Sequence, residues 1–143
     1  MIVFISCVKT KLPYEEMAKN LYCSNYFKTC YRYAQFLNPA HIYILSAKYG
    51  LLEPEDVICP YEMTLNNFSL EQKKEWAKFV KAQMKDKNID FNQKAIFLCG
   101  NNYSVFLKQA FMEYETPLCN MGFGKQIKYM NEQMSVANNY KNP

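Results

Sequence analysis

Three short stretches concentrate side chains that could do chemistry. Residues 6–11 read Ser-Cys-Val-Lys-Thr-Lys, residues 46–50 read Ser-Ala-Lys-Tyr-Gly, and residues 60–62 read Pro-Tyr-Glu. In the first, the Ser6 and Thr10 hydroxyls, free backbone N–H groups and the ammoniums of Lys9 and Lys11 suit an anion, and a helix start beyond them adds partial positive charge. In the second, Lys48 beside Ser46 and Tyr49 could lower a hydroxyl's proton affinity or hold a phosphate. Gly50 supplies the positive φ that a sharp turn needs. In the third, Pro60 presents Tyr61, a ring that can stack on a base, and Glu62, a carboxylate for proton transfer or ribose contact. Each stretch also has a purely structural reading, as a lysine-bearing surface turn or a well-hydrogen-bonded loop.

Two further stretches are weaker. Asn101, Asn102 and Tyr103 open a helix, where capping explains at least one Asn. Gly122-Phe-Gly124-Lys125 places two glycines and a cation at another helix start, an arrangement that tolerates phosphate. No Gly-x-x-x-x-Gly-Lys-Ser/Thr and no Gly-x-Gly-x-x-Gly string occurs. Cys7 is a candidate nucleophile. Cys7, Cys99 and Cys119 follow strand candidates and Cys59 lies in the loop between, but no Cys-x-x-Cys pair gives metal-ligand spacing, so neither metal nor cofactor is expected. The only histidine, His41, precedes its strand and belongs at the opposite sheet edge, away from these groups. A base among them would be Glu62 or a deprotonated Lys.

The elements that must position these residues follow from pattern. Residues 2–5, 42–45 and 95–99 are short β-branched and aromatic runs, read as buried strands, and 116–119 is a fourth candidate. Pro13, followed by Glu15 and Glu16, opens a helix expected to reach Phe36 before Asn38-Pro39, with Cys23-Ser24-Asn25 as a weak point within it. Residues 50–65 read as loop. Asn67 or Ser69 caps a helix over 70–87, where Ser69 and Gln72 fit a capping box and Trp76, Phe79, Val80 and Met84 share a face. Further helices are expected over 101–114 and 125–137, with a loose tail from Asn138. Strands alternating with helices predict one α/β domain over 1–143, a three-layer sandwich on a mostly parallel sheet of about four strands. Ligands of such sheets bind outside the carboxyl ends of the strands, where these polar residues cluster.

The totals bound the possibilities. The chain has 143 residues, is 50% hydrophobic and 16% aromatic, and carries a formal charge of +4. That composition builds a core and excludes disorder. The mild basicity permits an anionic partner. Without a signal-peptide pattern or an apolar stretch near the ~20 residues of a membrane helix, the six cysteines read as reduced thiols of a cytoplasmic protein with no membrane partner.

ISCVKT at 5–10, LSAKYGLLEPEDVICPYEM at 45–63 and LCGNNYSVFL at 98–107 resemble, in the same order, segments of the YaaA family of peroxide-stress proteins. That family has an ISPAKT-like start, with Pro where this chain has Cys7, and an LSGLYGVLRP…PYRLEM-like segment. PLCNMGFGKQIKYM is similar to a group of small bacterial and phage proteins that share the SAKYGLL core. The resemblance implies a YaaA-like α/β core, a basic cleft, and nucleic acid or nucleotide as ligand. Three functions stay open. The chain binds a phosphate-bearing ligand, with lysines on phosphate and Tyr49 or Tyr61 on a base. Or it is an enzyme acting on a nucleobase, nucleoside or N-glycosidic bond, with Glu62 as acid or base and Ser46 or Cys7 as nucleophile. Or it is a stress-response or phage-associated interaction protein.

Overall fold

The computed structural model describes residues 1–141. Its centre is a five-stranded sheet. Strand β1 (Ile2–Ser6) lies between β3 (His41–Ser46) and β6 (Lys94–Leu98), parallel to both. β7 (Glu113–Glu115) adds in parallel beyond β6, and β4 (Gly50–Leu52) folds back antiparallel on β3, giving the order β4-β3-β1-β6-β7. β1 is buried on both faces, as its unbroken Ile-Val-Phe-Ile run requires of a central parallel strand. Phe4 stacks on Phe97 with ring centroids 4.9 Å apart, and Phe111 closes over both. Each such fully buried ring contributes roughly 2–3 kcal/mol.

Helix α2 (Asn25–Phe36) connects β1 to β3, and α3 (Leu70–Asp86) leads from the β4 side to β6. The two crossovers run in opposite directions from the centre, so right-handedness puts the helices on opposite faces and makes a three-layer α/β sandwich. α5 (Phe123–Lys141) packs beside α2. Tyr26 meets Phe123 and Tyr33 meets Tyr129, so the two helices run in the same direction. α3 begins as expected: the Ser69 hydroxyl accepts the Gln72 N–H and the Gln72 side chain accepts the Ser69 N–H. Trp76, Ala77, Val80 and Met84 form its buried face. Phe79 is half exposed and lies over Gly50 instead.

Several elements differ from the sequence reading. The helix expected from Pro13 to Phe36 is divided. Glu16–Met17 (β2) pairs antiparallel with Val57–Ile58 (β5), and a four-residue helix, α1 (Ala18–Leu21), follows. Tyr22 is then extended, and Ser24 caps α2 by accepting the Phe27 N–H. The Leu12 and Cys23 N–H groups bond to the Leu21 and Thr10 carbonyls, tying the segment to the stretch after β1. Residues 50–65 hold β4, β5 and the start of a 3-10 turn (Leu65–Asn67) rather than one loop. The helix expected over 101–114 shortens to α4 (Asn101–Ser104) and a 3-10 turn (Lys108–Ala110), and its last residues become β7. The strand thus precedes the expected 116–119, which is mostly turn: Pro117 has no N–H to give a ladder, and Asn120 has φ 64°. Lys94 meets Glu115 at 2.7 Å and Glu113 at 4.0 Å across the β6–β7 pair. α5 continues beyond Ala137, so the tail expected to be loose begins as helix, and the rest of that expectation, at 142–143, lies outside the described residues.

Candidate functional site

The carboxyl ends of β1 and β6 flank the point where chain connections diverge, the position at which open α/β sheets bind ligands. Cys7 follows β1 and Tyr103 follows β6. Their Sγ and Oη share a hydrogen bond at 3.2 Å, closing this gap from side to side. Beside them, where β3 ends, the buried Ser46 hydroxyl donates to Tyr61 Oη at 2.7 Å and accepts the Lys48 and Tyr49 N–H groups at 3.2 and 3.0 Å. One proton and two lone pairs are all a serine hydroxyl has, so Ser46 is fully engaged. To act as a nucleophile, this buried oxygen would have to give up one of the two N–H bonds it accepts.

Tyr61 Oη and Tyr22 Oη share a further hydrogen bond at 2.7 Å. Tyr22 was not a candidate from sequence, because it fell inside an expected helix. The Ser24 cap signal two residues later is what could have placed it in a linker. Trp76 was also missed: its indole N–H donates to the Ser46 carbonyl at 2.9 Å while its ring stands edge-on to Tyr103. Tyr49 closes the group, edge-on to Tyr61 and donating to the Cys59 carbonyl at 3.3 Å.

Burial pushes the Tyr61 phenol far above its ordinary range, with the nearby Cys7 and Tyr22 adding to the rise. Burial likewise raises Tyr22 and Tyr103. All three hydroxyls are therefore neutral donors near pH 7. Lys11 holds its ammonium 4.5 Å from the Tyr61 ring centre and 5.8 Å from that of Tyr22. Burial lowers its pKa, partly offset by its proximity to Cys7 and Glu62. Lys48 sits 5.3 Å from the centre of the Tyr49 ring. Among the described residues, neither Lys9, Lys11 nor Lys48 has a carboxylate within ion-pair distance.

Cys7, Lys11, Ser46, Lys48, Tyr49, Tyr61 and Tyr103 thus come together, with Glu62 exposed at their margin and Pro60 partly buried before Tyr61. Ser6 ends β1, half-buried. Lys9 and Thr10 are exposed, their carbonyls bonded to Lys11 Nζ and the Cys23 N–H. Gly50 has the expected positive φ of 75°, yet it is buried against α3, with Gln83 and Phe79 where a Cβ would go, so it serves the turn rather than a ligand. Gly100, not an asparagine, occupies the α4 cap position. Asn102 instead accepts from Lys73 at 3.1 Å and donates to Asn66 at 2.6 Å, while Asn101 is exposed. Gly122, Gly124 and Lys125 are exposed at the start of α5 and take no part in the Ser46–Tyr61 network.

All six cysteines are free thiols, and burial raises Cys99 and Cys30, the latter to about 12. Among the described residues no three His, Cys, Asp or Glu side chains gather as a metal-binding set, and no helix is long and apolar enough to cross a membrane. Two surface depressions lie away from this rim. One is at the start of β3, against Tyr31, His41 and Glu53, and the other is between α3 and Phe106.

Residues 2–132, nearly the whole chain and all of the strand-end groups, match a family described as "Family of unknown function (DUF6884)". The chain belongs to that family. No curated protein matches it significantly. For this DUF6884 member the rim geometry is therefore the ground on which function is argued.

Proposed function

We propose that this protein has a YaaA-like core and binds a phosphate-bearing ligand, a nucleotide or nucleic acid, at the carboxyl ends of β1, β3 and β6. The observation that carries this reading is the parking of Lys11 and Lys48 on tyrosine faces with no acidic partner. An ammonium over a ring is worth about 0.5–2 kcal/mol, and a phosphate oxygen offers a charge-assisted bond of about 1.5–3 kcal/mol. An arriving phosphate therefore outbids the ring. Lys9, exposed two residues before Lys11, adds a third cation. Release of Lys48 frees the Tyr49 face for a base. Ser46, Tyr61 and Tyr22 hold this arrangement rigid. The free thiols support a reducing, cytoplasmic setting.

Calorimetric titration with nucleoside mono- and triphosphates and short oligonucleotides tests this. Lys11→Gln and Lys48→Gln are each expected to weaken binding about 10- to 100-fold. Absence of binding by the wild-type protein, or wild-type affinity in both variants, overturns it.

One observation favours a second, catalytic reading. The Lys11 amine is partly buried over the Tyr61 ring near Cys7 and Glu62, and that burial lowers its pKa. Such a group can act as base or nucleophile on a nucleobase or nucleoside. Turnover of a nucleoside, lost in both Lys11→Gln and Glu62→Gln, supports it, and the absence of turnover removes it.

A further inference from the structure

The depression between α3 and the 3-10 turn at Lys108–Ala110 has an unusual lining. Lys74, Lys78 and Lys81 form one wall, Phe106 and Gln109 stand opposite, and Ala77 lies at the base. No carboxylate lines it. The three lysines, with Lys85, recur at spacings of four, three and four residues, so they fall on one face of α3. Of the acids on this helix, Glu71 continues the same stripe one turn before Lys74, while Glu75 and Asp86 lie about 100° round the helix from Lys74 and Lys85; none of the three lines the groove. Lys78 alone meets one of them, at 3.6 Å in an exposed i,i+3 pair. Lys74 has its ammonium 6.0 Å from the Phe106 ring centre.

We infer that this groove is a binding track for single-stranded nucleic acid. The helical rise separates successive lysines by about 4.5–6 Å along the axis and carries the stripe over about 16 Å, enough for a few nucleotides. A line of cations facing a partly exposed aromatic ring is the combination that holds single strands, phosphates on one side and a base on the other. A duplex would present its bases stacked inside and leave Phe106 unused. The track also has a direction. α3 begins at the rim, where Lys73 donates to Asn102 beyond β6, so a strand lying on Lys85, Lys81, Lys78 and Lys74 in turn leads toward Lys11 and Lys48. Only that last step rests on the rim reading; the groove's selection of a polymer over a free nucleotide does not.

The experiment is fluorescence anisotropy with labelled oligo-dT and oligo-U of about 12 nucleotides, and a duplex of equal length, between about 50 and 200 mM salt. The wild-type protein is expected to bind a single strand more tightly than the duplex. The triple variant Lys74→Gln/Lys78→Gln/Lys81→Gln is expected to lower the slope of log affinity against log salt by about 2, so that wild-type binding falls about 20-fold further across that range than the variant's. Phe106→Leu is expected to weaken binding about tenfold at unchanged slope. Binding of only oligo-dT or only oligo-U supports the track. A triple variant with the wild-type affinity and slope, or preference for the duplex, overturns it. Lys48→Gln separates the two sites: if it leaves mononucleotide binding intact while the triple variant still loses the strand, the rim reading fails and the track stands.

Discussion

Ser46 donates its hydroxyl proton to Tyr61 at 2.7 Å, joining the end of β3 to a segment fifteen residues further on. This bond organises the rim. It fixes the Tyr61 ring beneath Lys11, and the same oxygen gathers the N–H groups of Lys48 and Tyr49.

Ser46→Ala leaves two N–H groups and a buried phenol short of their partner. The expected loss is about 1–3 kcal/mol in urea unfolding, with unchanged m-value. Tyr61→Phe keeps the ring under Lys11 and removes only the hydroxyl. It is expected to cost less than Tyr61→Ala, which also leaves a cavity and costs about 3–5 kcal/mol.

Gly50→Ala tests the turn. The backbone there has φ 75°, and a Cβ would overlap Gln83 Oε1 and stand 2.7 Å from the Phe79 ring. Gln83 also accepts the Leu51 N–H and donates to the Tyr49 carbonyl, so displacing it uncouples α3 from the turn. A loss of about 2–3 kcal/mol is expected, read as a fall in Tm of roughly 5–10 °C.

The rim has a built-in reporter. Trp76 is the single tryptophan, and it is bonded to the Ser46 carbonyl. A ligand that displaces Lys48 and shifts Tyr49 is expected to change its emission saturably, and Lys11→Gln to move the midpoint to higher ligand concentration. Titration of the intrinsic fluorescence reads both.

Alkaline pH probes Cys30, whose thiol burial raises from 9.0 to about 12. The unfolded chain releases this proton first, so the stability the thiol contributes is complete below pH 9 and declines as pH rises through the folded value. Two pH units above 9 correspond to a loss of up to about 3 kcal/mol. Unfolding free energies at pH 9 and about pH 11 are expected to differ by that much less in Cys30→Ala than in the wild-type protein.

The main strands were legible because a central parallel strand must be apolar on both faces, as Ile2–Ile5 and Ile42–Leu45 are. α3 was legible through its capping box. What failed depended on distant partners. Glu16 and Met17 continue a helical pattern locally, and only pairing with Val57 and Ile58 makes them a strand. Gly50–Leu52 reads as a turn followed by leucines, and β3 recruits it as an edge. The clustering of Lys11, Ser46, Lys48 and Tyr61 was visible because each follows a strand or its return loop. Tyr22 was hidden because its role comes from a contact with Tyr61, 39 residues away.

The central claim is that an anion binds where β1, β3 and β6 end, and amide-shift mapping by NMR during titration with a nucleoside triphosphate tests it most directly. The account predicts shifts concentrated at residues 7–11, 47–49, 61–62 and 100–103, and their loss in Lys11→Gln. Shifts confined to the opposite edge around His41 and Glu53, or none at saturating nucleotide, would contradict it.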